Sequence, residues 1–207
     1  NYICMRYYEG VVFSEEITAP FLYGKETSMK AKKHLLSVAL SGMFLALSHV
    51  LPFFTGQIPE IGSMLCPMHI PVLLCGFVCG APYGLLVGLV APLLRSLTLG
   101  MPPLFPTATA MAFELAVYGL MAGLLYSVLP KKKIFTYASL VGAMVVGRIV
   151  WGIVMFCIMG FDVTKFGLAA FWTGAIVNAI PGIIVQIILI PMVVIVLEKA
   201  KLMPNKK

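Results

Sequence analysis

The sequence predicts an all-α integral membrane protein built as a bundle of six transmembrane helices. Its 207 residues are 60% hydrophobic and 11% charged, and the mean hydropathy is +1.00. A soluble domain has about 45–50% apolar and about 25% charged residues, so this chain has too little polar surface to cover a globule in water. Nearly all of its length is needed for membrane spans of roughly 20 residues each. We therefore expect no separate nucleotide-binding, DNA-binding or secreted disulfide domain.

Six apolar runs define the expected spans, and the breaks between them are rich in glycine and proline. The second and third runs are short, and counting them as one broken span would leave five helices instead of six. The runs cover residues 34–52, 68–80, 83–99, 107–129, 134–159 and 169–197.

The placement of basic residues favours six spans with both termini in the cytoplasm, because short cytoplasmic segments carry the excess of Lys and Arg. In this arrangement one lysine, Lys165, lies in an outer loop, whereas five spans would put the lysine clusters on opposite sides. Topology also accounts for the net charge of +7, so we expect no nucleic-acid partner. The basic residues on the cytoplasmic side are then Arg6, Lys25, Lys30, Lys32, Lys33, Lys131, Lys132, Lys133, Lys199, Lys201, Lys206 and Lys207.

The amino-terminal segment differs from the rest in composition. Residues 1–28 are mixed and weakly patterned, whereas Met29 opens a short basic run that leads into an apolar helix. We interpret residues 1–28 as an extension or disordered segment and residues 29–207 as a single membrane domain. Because the apolar stretch runs on to Val50 without a small-residue cleavage site, we expect it to be a retained first span.

Polar residues inside the predicted spans are the main candidates for a site, because an ionisable group there costs at least about 2.5–3.5 kcal/mol. The predicted topology puts Arg95, Glu114, Arg148 and Asn178 on four helices, all in the outer half of the membrane. Gln186 is a further uncharged polar residue in the last span. One interpretation is structural, in which Glu114 pairs with Arg95 or Arg148 and holds helices together. The other is an outward-facing pocket, in which two arginines against one glutamate attract a small anion.

Two proline-stiffened outer loops could cover such a pocket. The loop over residues 53–67 carries Gln57, and the loop over about 100–106 carries Phe105. His69 follows the first loop near the outer mouth of the second span, where it is either a hydrogen-bonded structural residue or part of the pocket rim.

Motifs for catalysis and energy supply are absent from the sequence. It contains no P-loop, no zinc-protease motif and no nucleophile elbow, and we expect neither enzymatic activity nor a bound metal or cofactor. Glycines at four-residue spacing indicate close helix contacts, within the protein or with a partner. They are Gly76, Gly80, Gly84 and Gly88. The five cysteines lack metal-ligand spacing and are expected to be packing residues: Cys4, Cys66, Cys75, Cys79 and Cys157.

The central third of the chain resembles a known family of membrane proteins. Residues 56–126 read GQIPEIGSMLCPMHIPVLLCGFVCGAPYGLLVGLVAPLLRSLTLGMPPLFPTATAMAFELAVYGLMAGLLY. This segment resembles the substrate-binding S component of bacterial energy-coupling factor (ECF) vitamin transporters. The segments PMHIP and PPLFP are most similar to the pantothenate-type branch. The unbalanced arginines agree with a substrate that bears a carboxylate.

The resemblance implies a multi-pass protein of the bacterial plasma membrane whose outward cavity is capped by loops one, three and five. It implies three partner subunits, a transmembrane coupling protein and two ATPases, and the ATPases rather than this chain would use ATP. In that family a small-x-x-x-small stripe on the first helix docks on the coupling protein. Gly42 and Ala46 match this stripe, with glycine where the family usually has alanine. The loaded subunit would then topple in the membrane to release its cargo.

Other functions and substrates stay open at this stage. An autonomous small secondary transporter would transport without an ATPase and would usually carry internal repeats. A membrane enzyme acting on a lipid-like substrate would use Glu114, His69 and Arg148 as its polar groups. Among substrates, folate, a cobalamin precursor and pyridoxine derivatives are alternatives to a pantothenate-like vitamin.

Overall fold

The computed structural model describes residues 7–8, 11–12, 15–54, 67–130, 132–162, 166–175, 177–200 and 203. The chain divides into two compact units, residues 1–36 and residues 37–207. In the first unit, strands β1 (Tyr7–Tyr8) and β2 (Val11–Val12) pair antiparallel with Tyr7 opposite Val12. Helix α1 covers Glu15–Phe54.

The second unit is helical. Helix α4 is entered through a π-helical turn (Leu104–Ala108), and a short 3-10 helix (Val177–Ala179) separates α6 from α7. After α1, the helices are α2 (His69–Cys79), α3 (Ala81–Leu99), α4 (Thr109–Val128), α5 (Lys133–Ile158), α6 (Leu168–Ala175) and α7 (Ile180–Lys199).

Five stretches in the described residues are long and apolar enough to cross a membrane. The predicted helical, multi-span architecture is therefore confirmed. Helix α2 has 11 residues and a length of about 16 Å, which is shorter than a span of roughly 20 residues. The count of six spans stays a prediction. The five stretches are Ala31–Phe53, Ala81–Leu99, Leu104–Val128, Lys133–Ile158 and Leu168–Lys199.

Helix α2 forms the centre of the bundle, where it packs against α3, α4 and α7. All of its residues from His69 to Cys79 are buried. This agrees with its sequence, because a helix that is hydrophobic all round has no face suited to water. Its amino-terminal residue His69 is a polar side chain buried in this core.

The second and third apolar runs are separate helices that meet at a sharp turn. Gly80 between them has φ of +103°, a conformation that side-chain-bearing residues rarely adopt. The turn brings Gly84 back against Gly76, so that a Cβ on Gly84 would lie 2.8 Å from the Gly76 Cα. The two runs are therefore two helices in the structure, and the number of membrane spans they form stays a prediction.

The glycines at four-residue spacing pack within the chain. Helices α3 and α4 run antiparallel, with Gly84 against Gly119 and Gly88 against Leu115. A Cβ at Gly84 would lie 2.6 Å from the Gly119 carbonyl oxygen. Small residues allow such close backbone approach, which is the principal source of helix association where no hydrophobic effect operates. We call these contacts between α3 and α4 the glycine seam. They fix the rotation of α4 about its axis, and this rotation sets the direction of the Glu114 side chain.

At the other end of α4, the Tyr126 hydroxyl donates a 2.7 Å hydrogen bond to Glu198 Oε1 on α7. The Tyr126 ring also packs edge-on against Phe77 of α2. We expect Tyr126→Phe to lower the free energy of unfolding by about 1.5–3 kcal/mol, since the hydrogen bond ends on a carboxylate. The measurement is a denaturation curve of the purified protein in detergent. Tyr137→Phe on α5, where the side chain is 41% exposed, is the matched control. Equal stability of the two variants would contradict the assigned role of Tyr126.

Candidate functional site

Three helices bring a carboxylate, a guanidinium and an imidazole together inside the bundle. Glu114 of α4 is 1% exposed. Its Oε1 lies 2.9 Å from Nη1 of Arg148 on α5 and 3.7 Å from Nε2 of His69 at the start of α2. Sequence analysis named all three residues as candidates, and the structure brings these three together. We call them the Glu114 cluster.

Tyr118 lies one helical turn after Glu114 on α4 and packs beside the Glu114 cluster. Its ring contacts His69 at 5.4 Å between centroids. The ring lies directly against Gly147, where a side chain would collide with it. The glycine therefore lets α5 approach closely enough for the next residue, Arg148, to reach Glu114. Sequence analysis missed Tyr118, although its position four residues after Glu114 on the same helix face was a usable signal.

The charges of Glu114 and Arg148 balance each other. Removing one partner of a buried ion pair typically costs 3–5 kcal/mol, because the other charge is left uncompensated. The arrangement matches the alternative in which Glu114 pairs with Arg148 rather than with Arg95. Within the pair, Arg148 is the more accessible group, with a side chain that is 15% exposed against 2% for Glu114.

Aromatic residues lie one turn beyond Arg148. Trp151 of α5 contacts Phe166 at 5.7 Å and Phe171 of α6 at 6.4 Å between ring centroids. Phe171 lies against Gly152 and Trp151 against Gly174, so each helix supplies a glycine on which the other's aromatic ring rests. These two ring–glycine contacts hold α6 against α5 close to Arg148. Sequence analysis did not single out these residues.

The other predicted site residues lie elsewhere. Arg95 contacts α1, where its Nη1 donates to the His49 carbonyl at 3.2 Å and its guanidinium lies 5.8 Å from the Phe53 ring centroid. Asn178 is exposed in the 3-10 helix that interrupts the last span, and Phe105 is 67% exposed. Gln57 lies outside the described residues.

The predicted docking residues Gly42 and Ala46 are exposed on α1. A Cβ at Gly42 would have nothing within 4 Å, so this part of α1 leaves open space beside it. Among the described residues, no group of three or more His, Cys, Asp or Glu side chains could hold a metal ion.

The fold and the Glu114 cluster together define a multi-pass membrane protein with a polar site inside an apolar bundle. Residues 36–194, more than half of the chain, match the family model of the ECF transporter substrate-specific component. The chain belongs to this family. Comparison with curated proteins and with solved structures gave no match.

Membership of the family makes the chain a substrate-specific subunit of an ECF importer. Such subunits bind and deliver a substrate and are not enzymes, which agrees with the expectation from the sequence. As a family trait they work with a coupling protein and ATPases.

Proposed function

We propose that this subunit captures a small anionic vitamin or vitamin precursor, of the pantothenate type, at the Glu114 cluster for ATP-driven import. The observation that carries the proposal is the buried pair of Glu114 and Arg148 with His69 beside it, inside a bundle whose described core is mostly apolar. Polar groups at such depth are costly, and in membrane proteins they mark substrate pathways.

Arg148 is the group that an incoming carboxylate would contact. A guanidinium has five N–H donors in a planar fork, so it can hold Glu114 on one side and a ligand carboxylate on another. His69 and Tyr118 would orient the polar remainder of the ligand. Gln57 and Phe105 belong to the loops that would close over it. For Arg95 and Asn178, contact with the substrate stays a prediction.

We propose six spans, with α2 as the short sixth one and both termini in the cytoplasm of a bacterial cell. In that topology Glu114 and His69, near the starts of α4 and α2, would lie in the outer half of the membrane. The opposite end of the second unit carries Lys132, Lys133 and Lys199, as the positive-inside rule requires.

The substrate class can be tested by purifying the solitary subunit in mild detergent and identifying co-purified molecules by mass spectrometry. We expect a carboxylate-bearing vitamin near one equivalent. In titrations, pantothenate should bind about 10- to 100-fold more tightly than its alcohol analogue, since a charge-assisted hydrogen bond contributes about 1.5–3 kcal/mol. Equal affinity for acid and alcohol would refute an anion site. Uptake by the chain alone, without ATPases, would favour an autonomous transporter.

For assembly, we propose that Gly42 and Ala46 dock on the coupling protein, and that ATP hydrolysis in the partner subunits drives toppling. We expect Ala46→Leu to abolish co-purification of the coupling protein, because a larger side chain prevents close helix approach. Substrate binding by the isolated subunit should persist, since Ala46 is exposed. The matched control is Ala169→Leu, which makes the same change on the exposed surface of α6. Normal co-purification of the Ala46→Leu variant would rule out this docking surface.

A further inference from the structure

Gln186 is a buried polar residue of α7 outside the Glu114 cluster, and it is 1% exposed. It lies on the buried face of the helix with Gly182, Ile190 and Val194, which recur every four residues and carry no polar side chain. Its side chain therefore faces the interior of the bundle. Among the described residues, no side chain or backbone group forms a hydrogen bond with its amide. Because buried polar groups are nearly always hydrogen-bonded, this amide is available to a ligand.

The position of Gln186 along the bundle follows from a contact near the ends of α4 and α7. Tyr126 of α4 donates a hydrogen bond to Glu198 of α7, and each helix ends within two residues of this bond. Helix α2 packs against both, so α4 and α7 extend from this bond in the same direction. Glu114 lies twelve residues before Tyr126, which is about 18 Å along α4. Gln186 lies the same number of residues before Glu198, so it is level with Glu114.

Helix α2 begins one turn short of this level. It runs beside α4 in the same direction, as ring contacts near both of its ends show. Its first residue, His69, contacts the ring of Tyr118, and Glu114 lies one turn earlier on α4, beyond the start of α2. Arg148 reaches the same level from α5, because its Nη1 lies 2.9 Å from Glu114 Oε1. Three polar side chains, from α4, α5 and α7, therefore lie at one level beyond the amino-terminal end of α2.

We propose that Gln186 determines substrate specificity, because its amide hydrogen-bonds a hydroxyl group of the substrate whose carboxylate Arg148 holds. This role of Gln186 rests on the proposed function, since it takes Arg148 as the carboxylate site. An amide offers N–H donors and a carbonyl acceptor, and a hydroxyl is both donor and acceptor, so each can satisfy the other. Helices α5 and α7 pack against each other, which lets one small molecule reach both side chains. The substrate class thus narrows to hydroxylated carboxylic acids.

The test is a set of titrations of the solitary full-length subunit in detergent, with pantothenate and with an analogue whose two hydroxyl groups are replaced by hydrogen. We expect the unmodified protein to prefer pantothenate about fivefold, which corresponds to about 1 kcal/mol for a neutral hydrogen bond. Gln186→Met introduces an apolar side chain of similar volume and should remove this preference by weakening the binding of pantothenate alone. Its melting temperature should be unchanged or higher, since the substitution removes a buried polar group that has no partner in the described part of the chain.

Ile190→Met is the matched control, because it places the same side chain one turn along the buried face of α7. It should keep the preference for pantothenate. A preference retained in Gln186→Met would overturn the proposal. Equally weakened binding of both ligands with a lower melting temperature would also overturn it, since that result would identify a structural residue. If the anion site itself fails, the unmodified protein would not distinguish pantothenate from its alcohol analogue, and both proposals would fall.

Discussion

We expect Arg148→Ala to abolish substrate binding and to destabilise the protein by about 3–5 kcal/mol, because it leaves the Glu114 carboxylate buried without its 2.9 Å partner. The binding loss follows from removing the guanidinium that would contact the ligand carboxylate. Denaturation in detergent gives the stability change, and titration with the co-purified ligand gives the affinity. Arg148→Lys keeps the charge but not the planar fork, and we expect it to recover more stability than affinity.

A double variant distinguishes two roles of the Glu114–Arg148 pair, a purely structural role and a role in substrate binding. Replacing both partners, as Glu114→Gln with Arg148→Gln, leaves no buried charge uncompensated and should restore much of the lost stability. Substrate binding should stay absent in this double variant. If the double variant binds its ligand normally, the Glu114 cluster only holds the helices together. Arg95→Ala supplies the comparison between the two arginines, since Arg95 contacts α1 rather than Glu114.

We expect Gly119→Ala, which adds one methyl group, to destabilise the bundle strongly. The new Cβ would collide with the backbone carbonyl of Gly84, and a backbone carbonyl cannot move aside as a flexible side chain can. Overpacking usually costs about 1–3 kcal/mol, and we expect this backbone collision to reach or exceed the upper end. The yield of monodisperse protein in size-exclusion chromatography and its melting temperature measure the effect.

The matched control is Gly42→Ala, the same substitution at a glycine whose added Cβ meets nothing within 4 Å. It should be neutral or should stabilise the helix by about 0.5–1 kcal/mol. Similar melting temperatures for the two variants would contradict the close α3–α4 contact. A selective loss in Gly119→Ala would support the internal role of the glycine seam.

The sequence by itself determined the class of protein and identified the three residues of the Glu114 cluster as candidates. Hydropathy and composition are sums over single residues, so they predicted a helical, multi-span membrane protein without any knowledge of packing. Glu114, Arg148 and His69 were identified for the same reason, because a polar residue in an apolar run is visible in one dimension.

The tertiary structure decided which of these residues meet. Two arginines were available to Glu114, and the rotation of each helix about its axis selects Arg148 and turns Arg95 towards α1. That rotation depends on contacts such as Gly119 against Gly84 and Tyr118 against Gly147, which join residues far apart in the chain. The sequence could not assign the glycine stripe to an internal or external contact, because small residues permit close approach without specifying the partner. Which arginine pairs with Glu114 therefore depends on how the helices pack, and this packing is set by side chains on several helices together.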